Sequence, residues 1–198
     1  MRPVRYLLMA GILLASVLAS ADPITYTGQA MVSGTLGSVS FTNQLLTITL
    51  TSDTSFVYED SAINTFYNDA SPAHLMYFTI GNLPQYYFTD QMSVDDQLDN
   101  GWVGFHDYTQ ANLGGVMVTF NDVFKAYSLT SSLGPITGHN QVNTDVYFAT
   151  SAGGLNITDY GDSTFTAEVV ATPEPSSLLL IGIGVLGVLA TVRRKICP

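Results

Sequence analysis

Alternation of aliphatic and hydroxyl side chains is the feature that most constrains what this chain can fold into. Leu46, Ile48 and Leu50 are separated by single threonines, and a similar alternation runs over 164–169. Successive side chains of a β-strand point to opposite faces, so this two-residue period places apolar groups on one face and hydroxyls on the other. We therefore predict half-buried antiparallel strands at both positions.

The residues around these segments are rich in Thr, Ser, Val, Tyr and Phe, with Gly, Asn and Asp between them, a composition typical of strands and turns. Pairs such as Gly81-Asn82, Asn100-Gly101 and Gly134-Pro135, and the single Gly138, indicate turns. A helical apolar period is convincing nowhere in this region, and the one weak helix candidate is 61–68. The predicted fold is all-β, an antiparallel β-sandwich of jelly-roll-like type. The further predicted strands are 25–32, 35–41, 55–58, 74–80, 86–88, 102–105, 115–120, 124–129 and 142–150.

The N-terminus has the three parts of a secretory signal peptide. Arg2 and Arg5 precede an apolar stretch over 6–18, which is followed by small residues up to Ala21. This arrangement predicts a signal peptide over 1–21, removed by signal peptidase during export of the remaining chain. An uncleaved N-terminal anchor is the alternative, although the apolar stretch is short for a membrane-spanning helix.

Residues 22–172 have a length typical of one extracellular domain. They contain fifteen Asp and Glu residues and one cation, Lys125, so their formal net charge is −14. This excess of negative charge excludes nucleic acid as a partner, because nothing neutralises the phosphates. The single cysteine, Cys197, lies outside this region, which excludes a disulfide or a thiolate metal site within it.

The C-terminal segment, 173–198, combines three features without spare residues between them. A Pro-Glu-Pro triplet is followed by an apolar run over 178–192 and then by three adjacent cations. As a helix, this 15-residue run would be roughly 22 Å long, slightly less than a hydrocarbon core of about 30 Å. We predict a transmembrane helix whose basic end stays in the cytoplasm, which places 22–172 outside the cell. The triplet is Pro173, Glu174 and Pro175, and the cations are Arg193, Arg194 and Lys195.

This order of features resembles the PEP-CTERM sorting signal of Gram-negative, exopolysaccharide-producing bacteria. The resemblance is confined to the last 26 residues. It implies recognition of the Pro-Glu-Pro triplet by an exosortase, an integral-membrane enzyme similar to a cysteine transpeptidase, and processing near that triplet. The protein would then be membrane-anchored during sorting and later reach the cell surface or the extracellular medium. An ordinary single-pass anchor with a proline-containing stalk is the alternative.

An acidic stretch contains the weak metal-ligand candidates Asp95, Asp96 and Asp99. Carboxylate oxygens gathered in a loop are what Ca²⁺ requires, although the spacing of these residues does not fit an EF-hand loop. A solvated acidic loop without a metal ion is the favoured interpretation. We therefore expect no cofactor, with Ca²⁺ as the alternative.

The sequence contains no recognisable catalytic constellation. The three histidines lack metal-binding spacing, and the neighbours His106 and Asp107 would point to opposite faces of a strand. We expect a non-enzymatic structural or adhesive module of the cell surface or extracellular matrix. The alternative is a domain that binds or cleaves exopolysaccharide, through carboxylate pairs or sugar-stacking aromatics. The stacking candidates are Tyr86, Tyr87, Trp102 and Tyr108, for which core and cross-strand packing is the favoured explanation.

Overall fold

The computed structural model describes residues 22–71, 73–108, 114–144 and 146–170, and their regular structure is almost entirely strand. The all-β prediction is confirmed. Within these ranges, no helix has the length and hydropathy needed to cross a membrane. The predicted signal peptide and the predicted C-terminal helix lie outside the described residues. The strands are β1 (Pro23–Leu36), β2 (Val39–Asp53), β3 (Tyr58–Asp60), β4 (Thr65–Asp69), β5 (Met76–Ile80), β6 (Tyr86–Tyr87), β7 (Met92–Gln97), β8 (Trp102–Asp107), β9 (Gly114–Phe120), β10 (Leu133–Gln141), β11 (Phe148–Thr150) and β12 (Gly153–Val169), and the 3₁₀ helices are Thr54–Phe56 and Asp122–Ala126.

The described strands pair antiparallel in the order β3-β4-β7-β8-β9-β10-β12-β1-β2-β5-β6, and β11 pairs with β12. β10 connects two halves of this sheet, because 133–138 lie against β12 and 139–141 lie against β9. We call the half that contains β1, β2, β5, β6, β11 and β12 sheet 1. The half that contains β3, β4, β7, β8 and β9 is sheet 2.

Sheets 1 and 2 pack face to face over a hydrophobic core. The aliphatic side chains of the alternating segment in β2 are fully buried, as the two-residue period predicts. Between the sheets, the ring centroids of Phe165 in β12 and Phe105 in β8 lie 6.2 Å apart. Gly28 of β1 lies so close to the Phe105 ring that an added Cβ would overlap it. The result is a sandwich-like arrangement of two antiparallel layers.

Buried hydrogen bonds join the two sheets at one end of the core. The hydroxyl of Tyr26 in β1 donates to the Leu129 carbonyl oxygen at 2.6 Å and accepts from Asn68 Nδ2 in β4 at 3.0 Å. Ser52 Oγ in β2 donates to Asn68 Oδ1 at 2.7 Å. Because buried polar groups are costly without partners, these contacts hold the sheets in one relative position.

Two segments predicted as strands, 55–58 and 124–129, overlap the 3₁₀ helices instead. Each helix follows a capping residue, Asp53 or Asn121, whose side-chain oxygen accepts a hydrogen bond from the backbone N–H two residues later. Asp and Asn are among the strongest N-cap residues. Local capping therefore outweighed the β propensity of the apolar residues that follow.

Strands β4 and β10 were missed because their sequences carry other signals. The weak helix candidate 61–68 is a turn followed by β4. The glycines and the proline of β10 indicated turns, yet Gly138 pairs with Ser163 inside the sheet. An added Cβ at Gly138 would overlap the carbonyl oxygen of Phe120. This glycine therefore allows close strand packing and does not form a turn.

Candidate functional site

The predicted acidic loop is a strand in the middle of sheet 2. β7 pairs with β4 on one side and with β8 on the other. Because successive side chains of β7 point to opposite faces, Asp95 lies on the outer face and Asp96 lies in the core. The exposed fraction is 4% for Asp95 and 0% for Asp96. Asp99 lies in the following turn, and its Oδ1 accepts a hydrogen bond from Asn64 Nδ2 at 2.8 Å. The loop interpretation was therefore wrong for Asp95 and Asp96, whereas Asp99 does lie in an exposed turn.

The weak calcium candidates do not converge in this arrangement. Asp95 and Asp96 point to opposite faces of β7, and Asp99 belongs to the turn beyond it. Over the described ranges, no group of three or more His, Cys, Asp or Glu side chains is placed to hold a metal ion.

Asp95 lies on the outer face of sheet 2, but neighbouring side chains cover it almost completely. Its Oδ1 accepts a hydrogen bond from Ser93 Oγ, and its Oδ2 accepts one from Tyr108 OH at 3.0 Å. His106 Nδ1 lies 3.1 Å from the same Oδ2, within ion-pair distance but without the alignment of a hydrogen bond. A buried carboxylate needs such partners because an unpaired buried charge is costly. The network therefore fixes the positions of the His106 and Tyr108 rings.

Aromatic rings surround this network and follow the strand register across sheet 2. Tyr58 lies opposite Tyr67, and Phe120 lies opposite both Trp102 and His139. Ring centroids are 5.3 Å apart for Tyr58 and Tyr67 and 6.3 Å apart for Phe120 and His139, separations typical of favourable ring pairs. We call this surface the aromatic face, which consists of Tyr58, Tyr67, Trp102, His106, Tyr108, Phe120 and His139.

A cleft of about 470 Å³ opens in the aromatic face. Trp102 and His106 of β8 line one side, and the segment 141–144 at the end of β10 lines the other. Gly115 and Val118 belong to β9, the strand between them, and form the floor. An added Cβ at Gly115 would overlap Val118 and lie 3.3 Å from His106 Nε2, so the glycine keeps this floor low.

The phenols near Asp95 are held in their protonated form. Burial raises the pKa of Tyr108, and the charge of Asp95 raises it further. Burial and the same charge raise the pKa of Tyr67. Burial raises the pKa of Tyr58 to about 12, with a contribution from Asp69. These hydroxyls are therefore hydrogen-bond donors at neutral pH.

The structure places two of the four predicted stacking residues on the same face of sheet 2. Trp102 and Tyr108 both belong to the aromatic face. Tyr86 and Tyr87 form β6 in sheet 1, where Tyr86 packs against Phe78 with ring centroids 5.9 Å apart. Core and cross-strand packing, the favoured explanation, therefore accounts for Tyr86 and also for Trp102, which lies opposite Phe120 on the neighbouring strand.

The partner of His106 was missed in the sequence. Its neighbour Asp107 is fully buried, and the carboxylate that contacts His106 is Asp95 on the adjacent strand. The signal that could have revealed this pair is the alternation of Met92 and Val94 with polar residues, which marks β7 as a strand. Strand register, which no local pattern contains, then places Asp95 beside His106.

The C-terminal segment is identified by comparison with known proteins. The family model of the PEP-CTERM protein-sorting motif matches residues 171–195. This match confirms the resemblance at the C-terminus, and it includes the Pro-Glu-Pro triplet and the three cations, all outside the described residues. No curated protein and no solved structure matches the chain. The role of the β-domain, residues 22–172, must therefore be inferred from its own geometry.

Proposed function

Because the chain carries a PEP-CTERM sorting motif at its C-terminus, we propose that it is an exported protein that exosortase processes for delivery to the cell surface or extracellular matrix. Its β-domain acts there as a non-enzymatic structural or adhesive module. In this proposal, signal peptidase removes 1–21, and the apolar run 178–192 holds the protein in the membrane until exosortase acts. The domain 22–172 faces the outside throughout.

The observation that carries this proposal is the family match at the C-terminus. The N-terminal residues support it independently, since they have the charge and hydropathy pattern of an export signal. The basic cluster at 193–195 favours a cytoplasmic position for that end of the chain. The sequence features at both ends of the chain therefore favour a position of 22–172 outside the cell.

The aromatic face favours binding over catalysis. Both carboxylate oxygens of Asp95 have partners, and the side chain is too enclosed to reach a ligand. Glycoside hydrolysis needs two carboxyl groups about 5 to 10 Å apart that face the scissile bond. The described lining of the cleft contains none. Glycan binding is accordingly the second candidate function, and glycan cleavage is less well supported.

We infer one extracellular domain over 22–172, supported by the clustering of Asp22–Val170 as one compact unit. The passage of β10 from sheet 1 to sheet 2 supports a sandwich. The jelly-roll-like connection of its strands stays a prediction.

The intact mass of the protein recovered from the native cell surface or medium tests the sorting proposal. We expect a mass without the residues beyond the Pro-Glu-Pro triplet. A double variant, Pro173→Ala with Pro175→Ala, should keep the full C-terminus, whereas Ser177→Ala should be processed like the wild type. An unmodified C-terminus through Pro198 in the wild type would contradict the proposal. Release of reducing sugar from exopolysaccharide would contradict the non-enzymatic role.

A further inference from the structure

Sorting does not account for the cleft in the aromatic face. The cleft places an indole, an imidazole and a row of polar groups around a floor that Gly115 keeps low. We propose that it binds one pyranose unit of an uncharged polysaccharide. The sugar ring stacks on Trp102, and its hydroxyls bond to His106 and to the segment 141–144. This inference rests on glycan binding, the second candidate function, and deepens it by naming a site and a class of ligand.

The indole of Trp102 supplies the apolar part of the site. One face of a pyranose ring is lined by C–H bonds, and it packs on an aromatic ring as other apolar surface does. Trp102 is half-buried on the outer face, opposite Phe120, with its ring 5.1 Å from that of His106. These neighbours hold the indole in place, so little side-chain entropy is lost when a sugar binds.

Polar groups of the cleft are held in position before any ligand arrives. His106 is 8% exposed, and its Nδ1 faces Asp95, which leaves Nε2 on the side of Gly115 and the cleft. The backbone N–H of Asn143 donates to the Gly115 carbonyl oxygen at 2.9 Å and ties the opposite wall to β9. Nε2 of His106 donates or accepts one hydrogen bond, whereas a side-chain amide both donates and accepts, and this combination suits adjacent sugar hydroxyls. Such prepositioned groups provide specificity.

Charge selects an uncharged ligand. Residues 22–172 have a formal net charge of −14. Their one cation, Lys125, pairs with Asp122 at 2.6 Å, and the described lining of the cleft has no lysine or arginine. An anionic polysaccharide would therefore approach a field of its own sign without a counter-charge. An uncharged hexose polymer incurs no such cost.

Intrinsic fluorescence of the full-length protein tests the site directly, because Trp102 is the only tryptophan in the sequence. The protein is purified in a detergent that has no sugar headgroup, because such a headgroup would compete with the oligosaccharides for the cleft. It is titrated with oligosaccharides from dextran, mannan and galactan, and separately with oligogalacturonate. We expect at least one of the uncharged oligosaccharides to change the Trp102 emission saturably, and oligogalacturonate to leave it unchanged.

Two variants separate the cleft from other aromatic surface. Trp102→Ala should weaken binding of the active oligosaccharide, measured by calorimetry, by roughly tenfold or more. Tyr87→Ala is the matched control, since Tyr87 is an exposed tyrosine of sheet 1, and it should bind like the wild type. Thermal unfolding establishes whether both variants are folded. The fluorescence titration uses only the wild type, so it tests the site even where a variant does not fold.

Three results would overturn the proposal: no emission change with any uncharged oligosaccharide, tighter binding of oligogalacturonate, or unchanged binding by folded Trp102→Ala. These failures are separable from failure of the proposed function. A correctly processed protein that ignores every uncharged oligosaccharide rejects the cleft assignment alone. Saturable binding by a protein whose recovered mass extends to Pro198 rejects the sorting proposal alone.

Discussion

Asp96 should make the protein less stable as the pH rises, and Asp96→Asn should remove this dependence. The side chain lies on the inner face of β7, opposite Phe66 and Val103, with no solvent exposure. Neither carboxylate oxygen has a hydrogen-bond partner among the described residues. Burial raises the pKa of Asp96 to about 8. Asparagine has nearly the same shape but does not titrate.

The direction of this pH dependence follows from the number of protons that the folded and unfolded states bind. The folded-state pKa of Asp96 is raised above the value of 3.8 for an unperturbed side chain. Between these two pKa values, the folded protein keeps a proton that the unfolded chain has released. The stability linked to this group is fully present below pH 3.8 and is lost as the pH rises to about 8. The loss is about 1.4 kcal/mol per pH unit, or roughly 3 kcal/mol from pH 5 to pH 7.

Thermal and denaturant unfolding of the wild type and Asp96→Asn at pH 5, 6 and 7 measure this effect. The stability of the variant relative to the wild type should increase by roughly 3 kcal/mol over this interval, or about 6 to 12 °C in Tm. Other carboxylates titrate in both proteins and cancel in the difference. Asp162→Asn, on an exposed part of β12, is the matched control and should follow the wild type. A difference between Asp96→Asn and the wild type that does not change with pH would refute the reasoning.

Two further substitutions test the contacts between the sheets, both by urea denaturation. Tyr26→Phe removes the hydroxyl that hydrogen-bonds to Asn68 and to a backbone carbonyl oxygen, so it should lower the free energy of unfolding by about 1 to 3 kcal/mol. A decrease below about 0.5 kcal/mol would show that these bonds do not hold the sheets together. Gly28→Ala should cost about 1 to 3 kcal/mol because its Cβ overlaps Phe105. Gly161→Ala, whose Cβ would meet nothing closer than 3.9 Å, should stay within about 0.5 kcal/mol, and an equal cost for both would contradict the overlap argument.

Strong alternation predicted strands correctly, and competing local signals hid others. The segments around Ile48 and Phe165 lie within β2 and β12, with both side chains fully buried. β7 was missed because its consecutive aspartates indicated a solvated loop. Carboxylates are rarely buried, so composition argued against a core position for Asp96. Only its packing against the opposite sheet places it there.

The candidate site was predictable only in part. Trp102 and Tyr108 were recognised as possible stacking residues, and the structure places both on the aromatic face. Asp95 was considered as a metal ligand, whereas it holds the rings of His106 and Tyr108. These contacts join residues from neighbouring strands, and their register depends on long-range pairing that local composition does not specify.

By itself, the sequence determined the all-β class and the C-terminal sorting signal. Both depend on order along the chain: a two-residue period for the strands, and the succession of Pro-Glu-Pro, apolar run and cations for the signal. Only the tertiary structure decided that Asp95 faces outward beside His106 and that Asp96 enters the core. Alternation places neighbours on opposite faces, but which face is buried depends on the sheet that packs against it.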